Sequence, residues 1–311
     1  MDRLVRLAEY WNWLPAFRAV AETGHLKIAA RTFGVGPSAL SRSIGLLEER
    51  IGTRLFDRVG RNIRLNAEGE RFLAAVRDAM RRIDDGYEEI TSGGAPLPLR
   101  VSTVGVLSYL LLPVLADVRA RQPGLAASVL RERPDRISPA LQRGELDLAL
   151  VSEPPIDEEL RIDELGAGTN GIYCGQGHPL YRSRKPDFER VLEHDFAGPV
   201  SSEVTPRADG WPPAVRRRVT LHVADVKVAV DACAGGHVLA VLPDFVAASL
   251  PATVRLRRLP HDIVPPTLYH AVRRARLGPT ERSDAIVDGI RELLAERNAE
   301  PPGPDRRSRG G

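Results

Sequence analysis

The stretch from Ala29 to Gly52, "AARTFGVGPSALSRSIGLLEERIG", decides how this chain is read. Leu40, Ile44, Leu47 and Ile51 are spaced 4, 3 and 4 apart and fall on one stripe of a helix predicted over Ser38–Ile51 and closed by Gly52. At about 100° per residue, Ser38, Arg42, Gly45 and Glu49 fall on the opposite side. A preceding helix is predicted over residues 26–33, ending at Gly34, with Ala29, Ala30 and Phe33 turned inward. Small alanines let two helices cross closely. The short turn at Gly34–Pro37 makes the pair a helix-turn-helix, whose second helix enters the DNA major groove. There Ser38 would present its hydroxyl in the first turn, and Arg42 would reach guanine or a phosphate. An ordinary helical hairpin with a wet polar face fits the same spacing.

Outward from this stretch, "RLFDR" and "NIRLN" flank "VGR" as a two-stranded hairpin, which turns the unit into a winged helix with Arg61 at the wing tip. Upstream, Asn12 is placed to cap a helix through Phe17 and Val20. Downstream, Asn66 is placed to cap a long helix from Ala67 to about Ile90. On it Leu73, Val76, Met80, Ile83, Tyr87 and Ile90 are spaced 3, 4, 3, 4 and 3 apart. That is a heptad seam, read as a dimerisation face, though an amphipathic helix lying on its own domain has the same spacing. "TSGGAPLP" is a linker.

Charge follows this division. Residues 1–66 hold 11 Lys/Arg against 6 Asp/Glu, residues 67–92 hold 4 against 7, and the remainder 29 against 28. The positive excess sits where a phosphate-binding module needs it. The 311 residues, 43% hydrophobic and 27% charged, suit two or three globular domains. No apolar run approaches the roughly 18 residues of a membrane span, and the N-terminus lacks a signal-peptide pattern. With two distant cysteines, Cys174 and Cys233, a cytoplasmic location without a disulfide framework is expected.

Beyond the linker the pattern alternates: "LRVST" as strand, "YLLLPVLADVRARQPG" as helix, "AASVLRE" as strand, "RISPALQRG" as helix and "LDLALVS" as strand. It resumes with "GIYCG", "VRRRVTLHV", the helical "DVKVAVDACAGG", the strand "VLAVLP" and the helix "DAIVDGIRELLAER". This rhythm predicts a parallel sheet covered by helices. The tail from 299 to 311 is expected to be disordered. "GAGTNG" at 166–171 matches GxGxxG formally, but a strand follows where a nucleotide site needs a helix. Cys174 and His178 have no second ligand pair and read as a satisfied Cys and a turn His rather than zinc ligands. No catalytic motif appears, so neither an enzyme nor a cofactor is expected.

The run "FRAVAETGHLKIAARTFGVGPSALSRSIGLLEERIGTRLFDRVGRNIRLNAEGERFL" resembles the N-terminal domain of LysR-type transcriptional regulators, continuously from about Phe17 to Leu73. The resemblance implies DNA contacts at Ser38, Ser41 and Arg42, with a phosphate contact at Lys27, and a linker helix that pairs subunits. Gly36 and Pro37 depart from the Ser or Thr and the Gln common there. "LRVSTVGVLSYLLLPVLADVRARQPG" through "LDLALV", with "GHPL", resembles the family's effector-binding half. That half is similar to periplasmic solute-binding proteins, two α/β subdomains with a ligand cleft, and the resemblance places the crossings near Ile162 and Pro265.

The chain is therefore expected to be α/β with an N-terminal all-α winged helix-turn-helix. Residues 1–66 are the DNA-binding domain and 67–92 the linker helix. Residues 97–162 and 266–298 form one effector subdomain and 163–265 the other. In an open α/β sheet, ligands settle at the C-terminal edge of the parallel strands, where a helix start favours an anion. Thr103, Gly105, Val106 and Ser108, with Ser152 and Glu153, are the expected effector residues, and Ser201 and Asp225 approach from the second subdomain. Thr103 and Ser108 as helix caps are the simpler alternative. Val106 suits a larger, partly apolar acid. The expected partners are double-stranded DNA, a small-molecule effector, a second copy in a homodimer or homotetramer, and RNA polymerase if the chain activates; no membrane is expected. The competing readings are a nucleoid-like DNA-binding protein and an enzyme or solute-binding domain fused to a DNA-binding one.

Overall fold

A computed structural model describes residues 3–59, 62–91, 97–200, 209–275 and 281–299. The chain divides into two compact units that part near residue 95. The first contains α1 (Arg3–Tyr10), a 3-10 turn (Trp11–Trp13), α2 (Leu14–Thr23), α3 (Leu26–Phe33), α4 (Pro37–Ile51), β1 (Phe56–Val59), β2 (Asn62–Leu65) and α5 (Ala67–Thr91). Asn12 lies inside the 3-10 turn, and Trp13 occupies the start of α2 without a side-chain cap, because Pro15 already presets the first helical turn. Gly34 and Gly52 end α3 and α4 in the left-handed conformation, at φ 63° and 79°.

Phe17, Val20, Ala29, Ala30, Leu40, Ile44 and Leu47 close one core under the two helices. Phe33, expected inside, is 44% exposed, since it is the last residue of α3 and sits beside the turn rather than over the core. Asn66 caps α5 as expected, its Oδ1 accepting the Gly69 N–H at 2.9 Å. Gly69 itself is required: a Cβ there would stand 2.1 Å from the Leu55 carbonyl oxygen.

The heptad seam divides in two. Leu73 and Val76 are 3% and 2% exposed in the core of their own unit, with Met80 packed beside it. Ile83, Tyr87 and Ile90 are 54%, 67% and 81% exposed. Leu73 and Val76 are therefore corrected from a subunit interface to an intramolecular core, because the winged-helix elements already cover that end of the helix.

The second unit holds two five-stranded sheets. The first, in the order β4-β3-β5-β12-β6, contains β3 (Leu99–Thr103), β4 (Ala127–Leu130), β5 (Leu148–Val151), β6 (Leu160–Gly168) and β12 (Thr267–Arg274). The second, ordered β11-β7-β10-β8-β9, contains β7 (Asn170–Gly175), β8 (Asp195–Pro199), β9 (Arg218–Val223), β10 (Leu239–Pro243) and β11 (Leu256–Arg258). The sheets are mixed rather than parallel. β4, β3 and β5 run parallel, as do β10, β8 and β9, while β12 and β7 run antiparallel to their neighbours. The strands that carry the chain from sheet to sheet must run back along the edge they leave, which reverses their direction.

The first crossing lies at Thr169, between β6 and β7, not near Ile162, which is paired with Val272 in the first sheet. The return passes through Pro265, between β11 and β12. Around the sheets lie α6 (Ser108–Arg121), α7 (Pro134–Arg143), α8 (Phe188–Leu192), α9 (Val226–Ala234), α10 (Asp244–Ala248) and α11 (Glu281–Ala299). Leu107, Leu110, Leu111 and Val114 pack with Ile286, Val287 and Ile290, and the same core takes in Tyr173, Leu242 and Phe245. One apolar core thus joins both sheets. The "GAGTNG" segment is the first crossing, with strand on both sides and no helix to receive a pyrophosphate. Residues 300–311, which include most of the tail expected to be disordered, lie outside the described residues.

Candidate functional site

Two surfaces come together from the expected residues. On α4, Leu40, Ile44 and Leu47 are 3%, 4% and 0% exposed and pin the helix to the core. The opposite face presents Ser38, Ser41 and Arg42, all exposed, and Gly45 has no neighbouring atom within 4 Å of where a Cβ would stand. Lys27 is exposed in the first turn of α3. Arg42 enters no ion pair among the described residues. β1 and β2 pair antiparallel from Phe56↔Leu65 to Val59↔Asn62. The wing is tied to α4 by Glu48, whose Oε1 accepts the Leu55 and Phe56 N–H groups at 2.8 and 3.2 Å. Arg61 lies outside the described residues.

The second surface is the edge where β3 and β5 end. Thr103 is buried and its hydroxyl donates to the Val104 carbonyl at 3.0 Å; the Ser108 hydroxyl donates to the Gly105 carbonyl at 2.5 Å. Neither caps α6, whose start has no side-chain acceptor. The hydroxyls instead brace the 3-10 turn Gly105–Leu107, on which Val106 is half-buried against the core. Ser152 is half-buried and Glu153 exposed, directly after β5. From the other sheet, Asp225 caps α9 by accepting the Lys227 N–H at 2.7 Å and faces Arg131 at 3.7 Å. Arg131 also donates to the Ala224 carbonyl at 2.7 Å, so the β4–α7 and β9–α9 connections meet. A Cβ on Gly105 would stand 3.3 Å from Val226, which brings Gly105 and Asp225 to one place. Burial pushes the Tyr109 phenol above its ordinary value, against the opposing pull of Lys227. Ser201 lies outside the described residues.

Sequence reasoning missed a buried polar cluster at the crossings. Asp244 is 5% exposed and accepts from the Tyr173 hydroxyl at 2.6 Å, the Thr169 hydroxyl at 2.7 Å and Arg258 Nε at 3.0 Å. Burial, with the Asp244 carboxylate next to it, drives the Tyr173 phenol far up. Asn170 Nδ2 donates to the Pro265 carbonyl at 2.7 Å and to the Thr267 hydroxyl at 3.0 Å, fastening the two crossings to each other. A second cluster has Arg273 donating to Asp163, Ser283 and Asp284. Its partners lie far apart in sequence, so no local motif announces it.

Cys174 is buried, and His178 Nδ1 accepts the Leu180 N–H at 3.2 Å with its ring 4.7 Å from His194. Among the described residues, no group of three or more His, Cys, Asp or Glu is placed to hold a metal ion. No helix among them is long and apolar enough to cross a membrane.

A winged helix-turn-helix followed by a two-sheet, ligand-cleft unit defines a class: DNA-binding regulators that respond to a small molecule. Residues 11–70 match the model of the bacterial regulatory helix-turn-helix protein, lysR family, and residues 93–295 that of the LysR substrate binding domain. The chain belongs to the LysR family; it is a ligand-responsive, DNA-binding transcriptional regulator of that type. It is 32% identical over 175 residues to a "Probable hydrogen peroxide-inducible genes activator" of Mycobacterium xenopi, covering 55% of this chain and 93% of that protein. It is 34% identical over 189 residues to the regulator ShiR of Corynebacterium glutamicum, covering 60% of this chain and 64% of ShiR, just under two thirds of that protein. Full-length LysG of Corynebacterium glutamicum, solved with bound effector Arg, shares the fold at a TM-score of 0.60 and 20% identity, over 91% of this chain and 97% of LysG. An OxyR variant from Pseudomonas aeruginosa does so at 0.58 and 19%, over 90% and 93%.

Proposed function

We propose that α4 reads a specific DNA sequence, with Arg42 on a base edge, Ser38 and Ser41 beside it, and Lys27 and Arg61 on phosphates. The observation that carries this is a helix anchored on one face whose other face keeps an arginine without any ion pair in the described chain. Base readout needs a guanidinium held in place but left uncommitted. The exposed end of α5, from Ile83 through Tyr87 to Ile90, pairs with a second copy and delivers two such helices to two half-sites. An activating complex would also contact RNA polymerase, in the cytoplasm.

The effector occupies the edge formed by Thr103, Gly105, Val106, Ser108, Ser152, Glu153 and Asp225, with Ser201 beside it. The uncapped start of α6 and Arg131 support an acidic group, and Val106 supports an apolar part. The relatives' peroxide response is not carried over to this chain. Burial pushes Cys174 up to about 11 and Cys233 up to about 12, and a peroxide-reactive cysteine needs an accessible thiolate. Selection of bound duplexes from a random pool tests the DNA reading. The wild-type chain should enrich a two-half-site motif and Arg42→Ala should blur it; an unchanged motif would remove Arg42 from base contact.

A further inference from the structure

A groove of about 520 Å³ separates α4 from the base of the wing. It is lined by Ser41, Gly45 and Glu49 of α4, by Leu26 of α3, and by Thr53 and Arg54 of the connection to β1. Ser41 and Gly45 belong to the face that carries Arg42, so the groove opens on the DNA side of the helix. The connection is fixed at both ends. Glu48 accepts the Leu55 and Phe56 N–H groups, and Asn66 Nδ2 donates to the Arg54 carbonyl at 2.9 Å. Thr53 and Arg54 are exposed, and Arg54 enters no ion pair among the described residues. The Glu48 carboxylate is taken up by its two backbone donors, while Glu49 is exposed.

A helix lying in the major groove and a wing reaching past it must straddle the strand between them. We propose that this groove seats that sugar–phosphate strand, with Arg54 as its cation, Thr53 and Ser41 as its hydroxyl donors, and Glu48 as the residue that positions Arg54. Contacts of this kind set register and affinity and carry no base information. Glu49 repels a strand from its own wall and biases it toward Arg54. The proposal rests on the assignment of α4 as the DNA-reading helix.

The test is fluorescence anisotropy of the full chain on a 40-base-pair duplex of arbitrary sequence, titrated with salt, a probe length of roughly four helical turns. Arg54→Ala should make log K against log[salt] shallower by about 0.9 for each phosphate that the guanidinium neutralises, with base preference in pool selection unchanged. Arg54→Lys should keep the slope. Glu48→Ala should shift the slope as Arg54→Ala does, and Glu48→Gln, which retains an acceptor oxygen, should restore it. If Glu48→Ala fails to fold, the two Arg54 variants decide alone. An unchanged slope in Arg54→Ala, with Arg42→Ala still weakening binding, overturns the groove and leaves the helix assignment standing. If neither arginine variant changes binding, the helix assignment fails and the groove with it.

Discussion

Arg42 and Arg273 carry the same guanidinium in opposite settings. Arg273, on β12, is 6% exposed and joins Asp163 on β6 to Ser283 and Asp284 on α11. Arg42, on α4, is exposed and bonds to nothing in the described chain. The difference lies in the scaffold around each. Strands and a helix converge on Arg273 and use up its donors, whereas the buried face of α4 holds Arg42 out toward solvent. A saturated arginine is a fastening for the fold, and an open one on a rigid support is kept for a partner.

The largest expected effect is on the saturated side. Arg273→Ala removes the cation and leaves Asp163, whose side chain is 10% exposed, with only Arg161 beside it. Breaking a buried pair from one side costs about 3–5 kcal/mol, and the partial exposure of Asp284 places this case toward the lower end. Urea denaturation should show that loss, and Arg273→Lys should recover only part, because one ammonium cannot span the same fork. A loss below about 1 kcal/mol would put Arg273 with ordinary surface pairs and break the contrast. Arg42→Ala should do the reverse. Its stability should stay within about 0.5 kcal/mol of wild type. Its affinity for the selected duplex should fall by about 1–3 kcal/mol, read by anisotropy.

His178 sharpens the comparison as a third kind of site, a buried group that avoids charge. Burial, with His194 beside it, lowers its pKa from 6.5 to about 4. The folded pKa lies below the unfolded one, so the unfolded chain binds the proton more readily between these values. Stability from this site is complete above about 6.5, declines as the pH falls toward about 4, and is flat below. The slope is at most about 1.4 kcal/mol per pH unit. His178→Gln, measured by urea denaturation at several pH values, should flatten this window; an unaltered slope would assign the acid sensitivity to other groups. Asp163, held below its ordinary value by Arg273 and Arg161 despite its burial, adds a loss only at still lower pH.

The same contrast explains what can be read from sequence. The helices around Gly34 and Gly52, and the Asn66 cap, are fixed by contacts within one or two turns, so their residue types announce them. The heptad seam of α5 is equally visible, but spacing does not say whether the covering surface is the chain's own. Leu73 and Val76 face their own core while Ile83 and Tyr87 do not. β6 escapes a sequence reading because its burial alternates irregularly along an edge strand, and this puts the expected crossing at Ile162 instead of Thr169. Arg131 meets Ala224 across 93 positions, and Asp244 meets Tyr173 across 71. Such pairs are created by topology and leave no pattern in a local window. The open face of α4 is legible because a helix sets its own faces; the cleft is legible only as far as its strands' ends.

The smallest effect falls at the start of α4, where fastening and contact meet. Gly36 is the N-cap residue and supplies no side-chain acceptor, and its backbone, at φ −73° and ψ 145°, is one that any residue adopts. A Cβ there would find its nearest neighbour, the Ser38 hydroxyl oxygen, at an ordinary 3.7 Å. Pro37 has no N–H, and the Ala39 N–H already donates to the Gly36 carbonyl at 3.0 Å. A serine hydroxyl introduced by Gly36→Ser would therefore take the Ser38 N–H. Replacing a glycine cap by serine is worth a few tenths of a kcal/mol, about the smallest change that thermal unfolding of the first unit resolves. The midpoint should rise slightly with the salt dependence of DNA binding unchanged, because the new hydroxyl is satisfied within the chain. A steeper salt dependence would mean instead that the hydroxyl reaches a phosphate. The edge of the DNA-facing surface would then move back from Ser38 to the turn, and the line drawn between saturated and open groups would move with it.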